Sequence, residues 1–471
     1  MMLSVRNLRL KYPGEKEKIF DGIDITIADK EKVLLLGPSG SGKSTLLNVL
    51  SGIVPELIDL PMKYDVLERD MNASVIFQDP DSQFCMPKVY EELAFILENQ
   101  NVDKSQMNHL INDVLIKVGL DVGPSQQINQ LSGGMKQKLA IAGSLLQNAD
   151  TWFLDEPTAM LDSDATKHLW ELMIDLWQDK TVLIVEHKVE HIWQYVDRIL
   201  LMDANGKLVT QGTPQFILNN HEDLLNKYGV WHPNAYQFAP KSLHYDYPSH
   251  KFELKLEDVT VKRKEKKLYQ IDGLVVNSHE WIAITGKNGT GKTTLLESLM
   301  QLIPYDGLIQ YNGKPLRKVK DAARNMYLVY QNPELQFIQG SVYDEIFFNF
   351  QFLDKAQAAE KTTHLLKQLN LYHLKDRHPF ELSMGQKRRL SVATALSTKA
   401  DIVLLDEPTF GLDSHNTFEL IELFKARVQS GQTIIMVTHD DEIIKRYPST
   451  VLRIQDGILS EVRRGDNVRT V

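Results

Sequence analysis

From Leu3 to Tyr12 apolar and polar residues largely alternate, the two-residue period of a strand with one buried face. The same pattern returns from Phe252 to Lys262. In each place a turn and a second strand follow, and then an apolar run: Lys32-Val33-Leu34-Leu35-Leu36 in one, Trp281-Ile282-Ala283-Ile284-Thr285 in the other. An uninterrupted apolar run marks a strand buried on both faces. Each run ends in a glycine-rich stretch, after which Lys43 to Leu50 and Lys292 to Met300 carry helix-compatible apolar spacing, with Gly52 placed as a stop. Tyr90 to Val118 and Tyr343 to Leu369 are helix-like and more polar, which predicts an inserted helical subdomain. Four more apolar runs, Thr151 to Leu154, Thr181 to Val185, Ile402 to Leu405 and Thr433 to Val437, predict further parallel strands. The class is therefore α/β: a mostly parallel sheet flanked by helices, with an antiparallel β subdomain and a helical insertion, made twice.

Duplication is explicit in the landmarks. Gln78 recurs as Gln331 (253 apart), Leu131 as Leu382 (251), Asp155 as Asp406 (251) and His187 as His439 (252). The expected division is a first domain over 1–228, a linker over 229–250 and a second domain over 251–471. The stretch from Trp231 to Pro248 contains three prolines and no clear period, as a linker does. The basic run from Lys262 to Lys267 reads as a solvated hairpin tip.

Two stretches fit the phosphate-loop pattern G-x-x-x-x-G-K-[ST]: Gly37-Pro38-Ser39-Gly40-Ser41-Gly42-Lys43-Ser44, followed by Thr45, and Gly286-Lys287-Asn288-Gly289-Thr290-Gly291-Lys292-Thr293, followed by Thr294. Such a loop wraps backbone N–H groups around phosphates, and the following helix adds the positive end of its dipole. Lys43 and Lys292 suit the β- and γ-phosphates of a nucleoside triphosphate, while the hydroxyls of Ser44 and Thr293 suit Mg²⁺, which prefers oxygen ligands. The apolar runs ending in Leu154-Asp155-Glu156 and Leu405-Asp406-Glu407 set paired carboxylates at strand tips beside the loops, where α/β sheets bind ligands. Asp155 and Asp406 are expected to ligate the metal through water. Glu156 and Glu407 are expected to polarise the attacking water.

Composition narrows the partners. No apolar run in the 471 residues reaches the roughly 18 to 20 needed to span a bilayer, so the chain is not expected to form a permease by itself. A single cysteine, Cys85, excludes an internal disulfide and fits a reducing compartment. A net charge of -9 argues against nucleic acid as the main partner.

The segments Leu131-Ser132-Gly133-Gly134-Met135 and Leu382-Ser383-Met384-Gly385-Gln386 resemble the LSGGQ signature of ATP-binding cassette (ABC) ATPases. The resemblance covers nearly the whole chain. It implies that two such domains face each other head to tail, with each ATP held between one phosphate loop and the signature of the other domain. Ser132, Gly134, Ser383 and Gly385 would then reach the γ-phosphate from the far side. It also implies that Gln78 and Gln331 are Q-loop glutamines at the metal, and that His187 and His439 are switch histidines contacting the γ-phosphate. Asp162 and Asp413 match the D-loop. Tyr12 is placed to stack on adenine; by spacing, its counterpart is Arg263. Met384 and Met135 depart from the signature, yet both acids and both histidines are present, so two hydrolytically competent sites are expected.

The segments Gln78-Asp79-Pro80-Asp81-Ser82-Gln83 and Gln331-Asn332-Pro333-Glu334-Leu335-Gln336 are similar to the Q-[ND]-P-x-x-Q pattern of the energy-coupling-factor group of importers. That resemblance implies an energy module at the cytoplasmic face of the membrane. Its partners would be a shared transmembrane coupling subunit and a small substrate-binding membrane subunit. The cargo would be a vitamin, a vitamin precursor such as that of thiamine, or a metal ion. Asp79 and Glu334 are the expected docking charges. The rival reading is a ribosome-acting ABC-F protein, which usually carries a long, charged helical linker; a fused sugar-importer ATPase usually carries a degraded site. Whether the halves pair with each other or with a second copy is open at this stage.

Overall fold

The computed structural model describes residues 2–462 except 16, 124, 160, 246–250, 264–265 and 351. It divides into two compact units, Met1–Ala235 with Asp413–His415, and Tyr236–Leu412 with Asn416–Val471.

In the first unit the central sheet runs in the order Leu208–Gly212, Arg198–Met202, Lys32–Leu36, Thr181–Val185, Thr151–Asp155, Ala73–Ile76. Its pairs are parallel except for the antiparallel edge strand Leu208–Gly212. Strand alternation explains how one short run serves two cores. Leu34 and Leu36 enter the cluster beneath the helices, whereas Val33 and Leu35 enter the cluster under the antiparallel sheet. That second sheet pairs Leu3–Leu10 with Phe20–Ile27 and with two short strands, Met62–Lys63 and Val66–Glu68. Burial of such Leu and Val side chains contributes about 1.5–3 kcal/mol each, so this strand is anchored from both faces.

The second unit repeats the central order: Ile458–Val462, Thr450–Gln455, Trp281–Thr285, Thr433–Val437, Ile402–Asp406, Met326–Val329. Here the antiparallel hairpin Glu253–Arg263 with Lys266–Asn277 is longer, and the single pair Gln270–Ile458 joins it to the central sheet. The basic run lies at the tip of this hairpin, with Lys262 opposite Lys267 and Arg263 opposite Lys266; Lys264 and Glu265 lie outside the described residues.

The helical insertion predicted as one stretch is two helices in each unit. They are Val89–Asn99 and Lys104–Lys117 in the first, Val342–Phe347 and Lys355–Gln368 in the second. Asp103 and Asp354 cap the second helix of each pair, which is what breaks the stretch in two. Gly52 ends its helix as expected, left-handed at φ 88°. The segment after Tyr236 is pinned rather than free: Tyr447 Oη donates to Pro240 O at 2.7 Å, and Tyr245 Oη donates to Tyr447 O at 2.6 Å. Residues 246–250 of the expected linker lie outside the described residues.

Candidate active sites

Each phosphate loop leaves the C-terminal tip of a central strand and ends at the first turn of a helix, Lys43–Ser51 or Lys292–Leu299. Gly42 and Gly291 sit just before those helices at φ 93° and 98°, and a Cβ there would press on Phe20 and Ile19, or on Leu268. Only glycine fits both the backbone and the space. Lys43 Nζ donates to Gly37 O at 2.8 Å and Pro38 O at 3.0 Å; Lys292 Nζ donates to Gly286 O at 2.8 Å and Lys287 O at 3.1 Å. The two ammonium groups thus lie over loops of identical form. Burial pushes the Lys43 pKa down, opposed by the nearby Glu156 and Asp155 carboxylates. Ser39, Gly40, Asn288 and Gly289 line the exposed crests, while Ser41, Thr45 and Thr294 are buried.

Ser44 Oγ donates to Asp155 Oδ1 at 2.8 Å, and Thr293 Oγ1 donates to Asp406 Oδ2 at 2.7 Å. Burial raises both acids, Asp155 to about 6; their hydroxyl donors and Lys43 or Lys292 oppose it. A hydroxyl and a carboxylate converging as oxygen donors, with the carboxylate short of positive charge, fit Mg²⁺.

Glu156 and Glu407 follow at φ 49° and 51°. A non-glycine residue in the left-handed region costs about 1–3 kcal/mol and is kept where the surroundings over-determine it. Both oxygens of Glu156 are engaged, with His187 Nε2 at 3.0 Å from Oε1 and Gln78 Nε2 donating to Oε2 at 3.0 Å. Burial pushes this carboxyl up, but His187 and Lys43 outweigh it and hold the pKa below the ordinary value. In the second unit His439 Nε2 is 3.4 Å from Glu407 Oε1, and no hydrogen bond among the described residues joins Gln331 to Glu407.

Ser132 caps the helix Gly133–Leu146, and Ser383 caps Met384–Ser397, where Gln386 completes a capping box. No hydrogen bond among the described residues joins either serine to the phosphate loop of its own unit. A Cβ on Gly134 would lie 3.7 Å from Leu161, and one on Gly385 3.6 Å from Leu412, so each signature helix packs close to the turn that follows the glutamate. Tyr12 Oη meets Thr45 Oγ1 at 2.7 Å, which lays the ring beside the phosphate loop. At the matching position Arg263 is bound to Glu297 at 2.8 Å.

The Q-loops carry structure as well as chemistry. Asp79 and Asn332 cap the short turns Pro80–Gln83 and Pro333–Gln336. Asp81 and Glu334 each pair at 2.5 Å with a signature-helix lysine, Lys136 and Lys387. Asp79 and Glu334 are therefore not equivalent positions: one caps a turn and the other takes part in an intramolecular ion pair. Glu92 Oε2 accepts from the N–H groups of Cys85 and Met86, and Glu345 Oε2 from those of Ile338 and Gln339, so the second and third residues after each turn are held by the helix that follows.

Two buried groups escaped the sequence reading. Glu186 precedes His187, and Arg388 lies in the second signature helix where the first has Gln137. Gln137 Nε2 reaches Phe77 O at 3.3 Å; Arg388 Nε and Nη1 have no hydrogen-bond partner among the described residues. Burial lowers the Arg388 pKa to about 10 against the pull of Glu407 and Asp406. Burial was the missing signal, since a charge within a helix or at a strand end reads as solvated until its surroundings are known.

The ABC transporter family profile matches residues 20–159 and 270–410, which together hold both phosphate loops, both signatures and both strand-tip glutamates. This chain belongs to the ABC transporter family. As an ABC ATPase it aligns over 97% of its length, at 34% identity and over 90% of the relative, with YkoD of Bacillus subtilis (strain 168), an ATP-binding protein provisionally named for HMP/thiamine import. It is 30% identical over 96% of its length, and 89% of the relative, to the ABC transporter ATP-binding protein SAG1633 of Streptococcus agalactiae serotype V. Among solved structures, an archaeal ribosome recycling factor, aABCE1, superposes with TM-score 0.68, covering 98% of this chain and 91% of that one at 21% identity. A structure titled RNase-L Inhibitor gives TM-score 0.66 with the same coverage and identity. At that identity the structural likeness speaks for the tandem fold alone.

Proposed function

We propose that the chain is the ATP-hydrolysing energy module of an importer of energy-coupling-factor type, serving separate membrane subunits that carry a vitamin or vitamin precursor. The observation that carries this reading is the end-to-end likeness to the HMP/thiamine import ATP-binding protein of Bacillus subtilis, at 34% identity over nine-tenths of that protein. Lys43 and Lys292 would grip the β- and γ-phosphates, with the loop N–H groups around them. Ser44 with Asp155 and Gln78, and Thr293 with Asp406 and Gln331, would hold Mg²⁺, which supplies neutralisation of phosphate charge when bound. Glu156 and Glu407 would orient and polarise the attacking water, with His187 and His439 at the γ-phosphate.

The domains proposed are 1–228 and 251–471, joined by 229–250. A cycle of closure on ATP and release after hydrolysis would be passed on through the faces beside Gln78 and Gln331. In the first unit that face holds a groove of about 310 Å³ between Phe84, Cys85, Phe95, Ile96, Gly143 and Gln147. In the second it exposes Leu335 (69%), Ile338 (70%), Phe348 (43%) and Phe352 (46%). Exposed apolar surface of this kind marks an interaction site. No described helix is long and apolar enough to cross a membrane, so the proposed module needs separate spanning subunits.

Uptake of radiolabelled thiamine and hydroxymethylpyrimidine in cells deleted for the chain tests the reading. Restoration by the wild-type chain and not by the Glu156→Gln, Glu407→Gln double variant is expected. Uptake of both compounds that is unaffected by the deletion would reject this cargo.

A further inference from the structure

We infer that Glu186 is a positioning residue for hydrolysis in the first unit, holding the loop of His187 against the turn of Glu156. The inference rests on the proposed roles of those two residues, and nothing in the family signatures assigns Glu186 any part. Its side chain is 4% exposed and ties two loops together. Thr158, two residues after Glu156 and itself buried, is hydrogen-bonded through its hydroxyl to Glu186 Oε1. From the other side the backbone N–H of His187 donates to Oε2 at 3.0 Å. Across the front of the same assembly His187 Nε2 meets Glu156 Oε1 at 3.0 Å. The ring of contacts Glu156, Thr158, Glu186, His187 thus closes on itself. The left-handed backbone of the glutamate is common to both units, at φ 49° and 51°, so what the ring adds in the first is a fixed distance between the Glu156 turn and the His187 loop.

The second unit lacks this tie. Thr438 stands in place of Glu186, and its hydroxyl accepts from Asp440 N–H at 3.2 Å. Among the described residues no bond joins it to Thr409, the counterpart of Thr158, and the histidine–glutamate separation there is 3.4 Å. Burying a carboxyl costs free energy unless its hydrogen bonds are made, and both oxygens of Glu186 have a partner here. The other acids facing it are Glu156 and Glu190, and burial together with these holds Glu186 protonated to about pH 8. In that neutral form the proton lies between Oε1 and Thr158 Oγ1, so that Glu186 donates to the hydroxyl while Oε2 still accepts from His187 N–H, a pattern an amide can copy.

The test uses the full chain with MgATP in the Glu407→Gln background, comparing Glu186→Ala and Glu186→Gln with that parent. If the parent turns over too slowly to measure, the same comparison is made in the wild-type background. Misplacement of reacting groups by an ångström costs on the order of 100-fold, so Glu186→Ala should lower kcat by roughly 10- to 100-fold. KM for ATP should stay within about twofold, and Glu186→Gln should restore kcat to within about threefold, since ground-state binding is untouched. Equal kcat for the Ala and Gln variants, or a loss of kcat only in step with a rise in KM and a fallen melting temperature, would overturn the inference. Glu156→Gln is the companion control: if it leaves turnover in the first unit intact, the assignment of the site fails instead.

Discussion

At the scale of single residues, the strand-tip acids were legible because the motif fixes their type and spacing before any fold is known. Glu156→Gln and Glu407→Gln, made singly, keep size and hydrogen bonding but remove the proposed base. Loss of a general base typically costs 10²–10⁴-fold, so each variant should lose turnover at its own site by about that factor while retaining ATP binding, as read by steady-state ATPase and nucleotide titration. Glu186 was illegible for the opposite reason, since Val-Glu-His at a strand end looks like surface. Its carboxyl gives a second prediction. Burial raises the folded pKa to about 8 from the ordinary value of 4.5. A raised pKa means that the folded state binds the proton more tightly than the unfolded chain. The stability it contributes is complete below about pH 4.5 and is lost as pH rises through about 8. Glu186→Gln has no such proton, so thermal melts of wild type and variant should diverge in the variant's favour between pH 5 and roughly pH 8.5. Parallel melting curves across that range would show that the carboxyl is not held neutral by the fold.

Among elements, the alternating and uninterrupted apolar runs gave the strands almost to the residue, because burial on one face or on two writes a different period into the sequence. The helical insertion was harder: its two helices share one polar, helix-like composition, and only the caps Asp103 and Asp354 separate it into parts. Hardest were contacts between elements. At Asp79 and Glu334 the sequence did not show the cap and the ion pair that engage them, whose partners lie 2 and 53 residues away along the chain. The ion pairs Lys136–Asp81 and Lys387–Glu334 each bridge a signature helix and a Q-loop in the same way. With Asp81 about half exposed, the coupling in a Lys136→Ala, Asp81→Ala double-mutant cycle should be only about 0.5–1 kcal/mol of unfolding free energy. Charge reversal of Lys136 alone should be worse than its truncation, and simultaneous reversal of Asp81 should recover the difference. Denaturant titration of the four chains measures both. A coupling indistinguishable from zero would leave the pair a surface ornament.

For the molecule as a whole, duplication was the most legible feature of all, since repeated landmarks at offsets of 251 to 253 need no structure to be seen. The partner is the least legible, because it is read from faces that the two units build differently. Gly143 floors the groove of the first unit, and a Cβ there would come within 2.9 Å of Ile96 Cδ1. The second unit has Thr394 at the corresponding step of its signature helix, and its hydroxyl accepts from Gln336 Nε2 at 2.8 Å. Gly143→Thr should therefore give the first unit the narrower face of the second. Ile96 is flexible at its end, so the change should cost only about 1–3 kcal/mol of stability. In detergent extracts containing the membrane subunits, capture of those subunits by the variant should fall by roughly tenfold, equivalent to about 1.4 kcal/mol of interface, while ATPase activity of the isolated chain holds. A ribosome-acting protein makes the contrary prediction. Its nucleotide-trapped form, here the Glu156→Gln, Glu407→Gln chain with ATP, would sediment with ribosomes and be indifferent to the Gly143 groove. Both measurements turn on one difference: the proposed transporter subunit would insert a folded segment into that groove, whereas polyanionic RNA has no use for a small, largely apolar slot on an acidic protein.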